Sequence, residues 1–355
     1  MNPTANITPS FEIAGRPIGA GYPPYIIAEI SANHNGKLDN ALALIEAAAA
    51  TGADAIKIQT YTADTITIPH DGEQFRIKGG LWDGYLLHEL YREAETPFEW
   101  HAALFAKARE LGVTLFSTPF DESAIELLAG LEAPAYKIAS FEVIDLPLIA
   151  AVARKGRPMI ISTGMANLSE IQDAVKTARE NGAKGICLLH CTSAYPAPVA
   201  DANVRTVPHL GEAFGVVSGL SDHTPGSAAA VASIVLGGSV IEKHFTISRA
   251  EGGPDAAFSL EPDEFKRLVE DCKAAWAAMG QVQYDLAGSE RGSLAFRRSL
   301  YVVKPISAGE QLTAENIRSI RPGYGLPPKH LPHVVGRTAA RDLAYGEPLA
   351  WDAIK

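Results

Sequence analysis

The stretch Gly215-Val216-Val217-Ser218-Gly219-Leu220-Ser221-Asp222-His223 and its companion Ser239-Val240-Ile241-Glu242-Lys243-His244-Phe245-Thr246 are built alike. Each is a short apolar run that stops on a histidine. Val216-Val217 precede the first histidine phrase and Val240-Ile241 the second. Histidine is the commonest transition-metal side-chain ligand. Two of them at the ends of neighbouring strands could hold a metal with coordination positions left open, as catalysis requires. The same two residues also read as loop histidines satisfied by hydrogen bonds, so the rest of the chain has to decide.

Working outward, the same grammar recurs. Short β-rich runs span Tyr25 to Ser31, Ala55 to Thr60, Thr114 to Phe120, Ala135 to Ser140, Pro158 to Gly164 and Gly185 to Ser193, followed by the two runs above. Ala-, Leu-, Glu- and Lys-rich helical stretches such as Leu38 to Ala50 and Leu168 to Asn181 fill the gaps. Strand and helix alternating eight times predicts a parallel sheet closed as a (β/α)8 TIM barrel, class α/β. An open doubly wound sheet would favour a Gly-x-Gly-x-x-Gly turn after the first strand; here the turn is Ser31-Ala32-Asn33-His34-Asn35-Gly36.

In such barrels the chemistry lies at the carboxyl ends of the strands. Here those ends are all polar: Glu29, Asn33 and His34; Lys57 and Gln59; Ser117 and Thr118; Lys137 and Ser140; Ser162 and Thr163; His190, Thr192 and Ser193; Ser221, Asp222 and His223; Glu242, Lys243 and His244. The shared habit predicts one polar mouth. The long connection from Thr62 to Thr96, with Trp82 and Tyr85, reads either as a lid or as a surface excursion packed by its aromatics.

Bulk properties narrow the field. A 355-residue chain exceeds one typical domain, and 47% hydrophobic residues can fill a large core. A formal charge of -10 argues against a nucleic-acid surface. Cys187, Cys191 and Cys272 form no disulfide framework and suit reduced thiols in a cytoplasmic protein. The start of the chain carries no signal segment, and no apolar run approaches the roughly 18 residues of a membrane span.

After Gly280 the grammar changes. Phe296 to Val303 reads as a strand, Ile306 to Glu310 as a turn, and Leu312 to Ile317 opens on a Thr cap. The expected organisation is a catalytic barrel with an N-terminal extension over 1–280, a linker over 281–293 and a small β-rich domain over 294–355.

Together the motifs resemble the sialic acid synthase family, whose members condense phosphoenolpyruvate with an amino sugar to give a nine-carbon 2-keto acid. The resemblance spans Ala28-Glu29-Ile30 with Asn33-His34-Asn35-Gly36, Lys57-Ile58-Gln59, Ser117-Thr118-Pro119-Phe120, Tyr136 to Ser140, Ser162-Thr163-Gly164-Met165, His190-Cys191-Thr192, both histidine phrases and Gly253-Pro254-Asp255. The C-terminal segment is similar to the antifreeze-like (SAF) domain that follows the barrel in that family.

The resemblance implies roles. Phosphoenolpyruvate, with its phosphate and carboxylate, would meet Lys57, Lys137, Thr118, Ser140 and Ser162. A lysine buried without an anion is costly, which makes the two lysines stand out, whereas any one hydroxyl could equally cap a helix. His223 and His244 would hold Mn2+ or Mg2+, a Lewis acid for the open-chain aldehyde. Glu29 would bind substrate hydroxyls or manage a proton near the metal. Ser193, Tyr195, Ser221 and Asp255 would line the sugar pocket. Arg321, in the phrase Arg321-Pro322-Gly323, would reach the sugar from a domain-swapped homodimer.

Within the family, Leu81-Trp82-Asp83-Gly84, Tyr91 to Trp100, Ala139-Ser140-Phe141-Glu142, Ser193 to Pro198 and Phe296 to Val303 mark a subgroup. Members that take N-acetylmannosamine usually carry Asn where this chain has Ser193. The expected acceptor is therefore 2,4-diacetamido-2,4,6-trideoxy-L-altrose, with the legionaminic precursor and N-acetylmannosamine as alternatives. A Schiff-base aldolase and a non-catalytic sugar-binding protein are the readings from other classes; imine trapping would reveal the first, and loss of an essential residue the second.

Overall fold

The computed structural model describes residues 9–355; the first eight residues of the N-terminal extension lie outside the described residues. The chain divides into two units, Met1–Gly280 and Gln281–Lys355. The first opens with an antiparallel hairpin, β1 (Ser10–Ile13) and β2 (Arg16–Gly19). Eight parallel strands follow: β3 (Tyr25–Glu29), β4 (Ala55–Thr60), β5 (Thr114–Pro119), β6 (Tyr136–Ile138), β7 (Met159–Ser162), β8 (Ile186–Cys191), β9 (Val217–Asp222) and β10 (Val240–His244). They form a closed barrel in chain order, with β10 pairing back onto β3. Each expected strand is present; β4 has the expected bounds, and the other seven are shorter than their runs, chiefly because the polar residues at the carboxyl end already belong to the following loop.

The pleat sorts each strand into two faces. Ile26, Ala28, Ile56, Tyr136, Ile161 and Leu188 join the large core between barrel and helices. Tyr25, Ile27, Ala55, Phe116, Ala135, Ile160, Cys187, Leu189, Val217 and Val240 fill the barrel's interior. Phe11, Ile13 and Ile18 of the hairpin belong to that inner cluster. A Cβ on Gly185, just before β8, would stand 2.5 Å from the Cβ of Phe11. The hairpin thus stoppers the amino end of the barrel.

Helix caps set the exits of the strands that matter. Asn167 accepts from the amides of Ser169 and Glu170 at 2.9 and 3.1 Å, and Glu170 returns a bond to the Asn167 amide at 2.8 Å. This capping box starts the helix Leu168–Glu180 and fixes the Ser162–Gly164 turn before it. Among the described residues, no helix is long and apolar enough to cross a membrane.

The second unit has its own small core, centred on Leu300, Val302, Leu312, Ile317, Leu343 and Leu349. Strands β11 (Ser299–Val302) and β12 (Ile317–Ile320) pair antiparallel. The Thr-capped segment Leu312 to Ile317 makes a single turn: Thr313 donates its amide to Asn316 Oδ1 at 2.7 Å, and the chain enters β12 at once.

Candidate active site

Period-two alternation places Glu29, Lys57, Thr118, Lys137, Ser162, Cys191, Ser221 and Glu242 on the residues of β3–β10 that face inward, above the apolar interior layer. His244 ends β10 on that face, and His223 follows β9. The expected polar mouth is real but smaller than the polar strand ends suggested. Ser117, His190, Asp222 and Lys243 sit on the opposite face, where Ser117 donates to the Ile58 carbonyl at 3.0 Å and His190 Nε2 bonds the Ala202 carbonyl at 2.8 Å. Asn33 ties loops together, donating to the Phe245 carbonyl at 2.8 Å and to Ser259 Oγ at 2.9 Å. His34 packs edge-on against Trp100.

The floor of the mouth is a charged cluster. Lys57 Nζ pairs with Glu29, donates to Thr118 Oγ1 at 3.2 Å and lies 3.4 Å from Glu242. Lys137 Nζ donates to Ser162 Oγ at 2.7 Å and lies 3.8 Å from Glu242. All four charged groups are buried, none above 5% exposed, so each survives only through its partners. Burial opposes the charge on Lys57, but Glu242 and Glu29 outweigh it and raise the pKa. On Lys137 burial wins over its one near carboxylate, and the pKa falls. Burial pushes Glu242 up, and Lys137 and then Lys57 pull it below the usual carboxylate range. Among the described residues, one Glu242 oxygen has no hydrogen-bond partner and could meet an incoming donor. Ser140 adds a hydroxyl beside this floor, accepting from the Gly164 amide at 3.1 Å.

The wall is aromatic and basic. The His223 and His244 ring centroids lie 5.3 Å apart. Tyr195 stacks at 4.5 Å from His223, and Phe258 stands 4.8 Å from His244. Trp82, anchored by its indole N–H to the Pro254 carbonyl at 3.0 Å, closes on Tyr195 at 5.6 Å and Phe258 at 6.3 Å. The long Thr62 to Thr96 connection therefore roofs the mouth through Trp82, whereas Tyr85 points to solvent.

The imidazoles suit a metal. His223 Nδ1 faces the Thr192 carbonyl at 3.1 Å; a carbonyl only accepts, so Nδ1 carries the proton and Nε2 keeps its lone pair. His244 Nδ1 is buried without a hydrogen bond and sits 3.4 Å from Asp255 Oδ2. Among the described residues, no three His, Cys, Asp or Glu side chains converge as a ready-made cage. Two imidazole donors on one wall fit a divalent ion whose remaining positions are filled by substrate oxygens and water.

Of the other expected site residues, Ser193 lies within 3.7 Å of Cys191 Sγ, and Ser221 is buried at the end of β9. Arg321 follows β12 in the second unit and is exposed. Three groups escaped the sequence reading as site residues. Glu242 was legible as a polar strand end two residues before His244, hence on the same face. Burial pushes the Cys191 thiol up, but hydrogen bonds with His223, Ser140 and Ser193 pull it the other way and hold it below its ordinary value. Glu142, in the turn after β6, has a buried oxygen without a partner, and burial pushes its pKa up to about 7. Nothing local to Phe141-Glu142 signals that burial.

Fold and site together define a (β/α)8 barrel whose mouth has a buried lysine–glutamate floor and a two-imidazole wall. The family comparison resolves it further: residues 44–284 match the NeuB family and residues 297–355 match the SAF domain, and the chain belongs to the NeuB family. It is 44% identical to pseudaminic acid synthase of Helicobacter pylori over 94% of this chain and 98% of that protein. It is also 44% identical to pseudaminic acid synthase of Campylobacter jejuni, over 92% and 95% of the two chains. Among solved structures it resembles an N-acetylneuraminic acid (sialic acid) synthetase from Leptospira borgpetersenii, with a TM-score of 0.72 and 29% identity, covering 81% of this chain and 95% of that one. The chain is thus an enzyme of sialic acid synthase type.

Proposed function

We propose that this protein is a pseudaminic acid synthase, a transferase that joins phosphoenolpyruvate to 2,4-diacetamido-2,4,6-trideoxy-L-altrose and water, giving pseudaminic acid and phosphate. The observation that carries the reading is the pairing of a buried two-lysine floor with two neighbouring imidazoles in one mouth, in a chain 44% identical to pseudaminic acid synthases along nearly its whole length.

In this reading Lys57 and Lys137, with Thr118, Ser140 and Ser162, bind the phosphate and carboxylate of phosphoenolpyruvate by charge-assisted hydrogen bonds. Glu29 and Glu242 neutralise the lysines before the anion arrives, which keeps a folded, empty site affordable. His223 and His244 would hold Mn2+ or Mg2+, which supplies Lewis-acid polarisation of the sugar aldehyde. The floor orients the enol carbon toward that aldehyde, and a carbon–carbon bond forms. Water adds at the enol-ether carbon, and the carbon–oxygen bond to phosphate then breaks. Glu29 is positioned beside Lys57 to handle a proton or a substrate hydroxyl. Asp255 and Tyr195 contact the sugar, and Trp82 covers its apolar end.

The roles of Ser193 and Arg321, the domain-swapped homodimer and a cytoplasmic location belong to the same proposal on the strength of the family resemblance. Light scattering on the purified chain checks the dimer. The decisive experiment assays phosphate release from phosphoenolpyruvate with a panel of purified amino sugars. The expected result is a large kcat/KM preference for the L-altrose derivative, because a buried site discriminates strongly against a missing or surplus hydroxyl. Equal turnover of N-acetylmannosamine or the legionaminic precursor would sink the pseudaminic assignment and leave the family intact.

A further inference from the structure

Behind the imidazole wall lies a buried ion pair that the reaction itself does not use. Lys243 Nζ stands 2.7 Å from Asp222 Oδ2, and both side chains are 1% exposed. Lys243 also donates to the Thr224 carbonyl. The second carboxylate oxygen of Asp222 accepts from the Thr224 amide at 2.9 Å and from its hydroxyl at 2.8 Å. Asp222 and Lys243 are the last paired residues of β9 and β10. The two imidazoles project from the very next residue of each strand, His223 and His244, where the pairing between these strands has ended.

The side-chain pair therefore continues the link one step past the last backbone rung. It spans from the residue before His244, through the residue before His223, to the residue after it. The Asp222 carboxylate bridges over His223 to the Thr224 amide, and the His223 carbonyl accepts from the Ala197 amide at 3.0 Å. On the other strand the His244 carbonyl accepts from Leu260 at 2.9 Å. A buried ion pair contributes little net stability compared with an apolar pair of the same shape. Its use here is geometric.

We propose that Asp222 and Lys243 are positioning residues that set the separation of His223 and His244, and hence the affinity of the two-imidazole wall for a divalent ion. The inference rests on the reading of those histidines as ligands. Partners hydrogen-bonded to a metal ligand typically change metal affinity about 10- to 100-fold when removed, and a brace on the backbone beside both ligands should act toward the lower end of that range.

The test is Mn2+ binding to the metal-free full-length protein, followed by electron paramagnetic resonance, together with melting temperature and phosphoenolpyruvate binding without metal. Asp222→Asn and Lys243→Met should each weaken Mn2+ binding at least about tenfold, with phosphoenolpyruvate binding unchanged. Either change alone strands a buried charge and lowers the melting temperature. The double variant D222L/K243M removes both charges; it should recover the melting temperature and still bind Mn2+ weakly. Wild-type Mn2+ affinity in the folded double variant would overturn the proposal and leave the pair merely structural. His223→Ala separates the two levels: wild-type Mn2+ binding there removes the metal reading itself, and this inference with it.

Discussion

His223 and His244 face each other across the mouth of the barrel with ring centroids 5.3 Å apart and planes inclined by 50°. They stem from strands adjacent in the sheet and in sequence order, and so stand one inter-strand step apart. Replacing either by Ala should abolish turnover while leaving the circular dichroism spectrum unchanged. Exhaustive chelation of the wild type should do the same, and Mn2+ should restore it. Full activity in a sample verified to be metal-free would remove the two imidazoles from a metal-binding role.

The two floor lysines should separate by their partners. Lys137 has one carboxylate, Glu242, at 3.8 Å, so Lys137→Ala should mainly cost phosphoenolpyruvate affinity. A lost charge-assisted bond costs about 1.5–3 kcal/mol, or roughly tenfold or more in Kd. Lys57 compensates both Glu29 and Glu242. Its removal strands the buried Glu29 carboxylate and leaves Glu242 with Lys137 alone, and should also cost about 3–5 kcal/mol of stability. Calorimetric titration and denaturant melts on the two variants check the contrast; unchanged binding in both would take the lysines out of the site.

Glu142 should impose a pH signature on stability. Its carboxyl is pushed from 4.5 to about 7 in the folded protein, first by burial, against the opposing pull of Lys137. Below pH 4.5 the group is neutral in both folded and unfolded chains and contributes nothing. As pH rises from there to about 7 the unfolded chain ionises first, so the folded state loses stability across that window. Glu142→Gln abolishes that loss. Its melting temperature should match the wild type at pH 4 and exceed it at pH 8. Parallel curves over that range would contradict the assignment.

Gly164 should tolerate no side chain. A Cβ there would lie 2.2 Å from Ser193 Oγ and 2.8 Å from Ser140 Oγ. Gly164→Ala should displace both hydroxyls and cost about 1–3 kcal/mol in overpacking. We expect a raised KM for phosphoenolpyruvate and for the sugar together, because the two neighbouring serines are assigned to different substrates, Ser140 to phosphoenolpyruvate and Ser193 to the sugar. Wild-type KM values for both substrates would show that neither serine is used.

Much of this protein was legible from local pattern alone. Eight β-rich runs separated by helical stretches determined the barrel, because strand and helix periods are properties of a few consecutive residues. The polar strand ends also marked the mouth, since active sites of this fold lie at those ends. Which polar residue enters the mouth is a different matter. His223 and Asp222 are neighbours, as are His244 and Lys243, and all four look like ligands or catalysts in sequence. Only the closure of β10 onto β3 defines an inside, and the pleat then sends the histidines in and the Asp222–Lys243 pair out. The stopper hairpin, with Phe11 against Gly185, and the buried oxygen of Glu142 were invisible for the same reason. Their environment is made by residues far away in the chain, and no local period reports a contact that exists only once the sheet has closed.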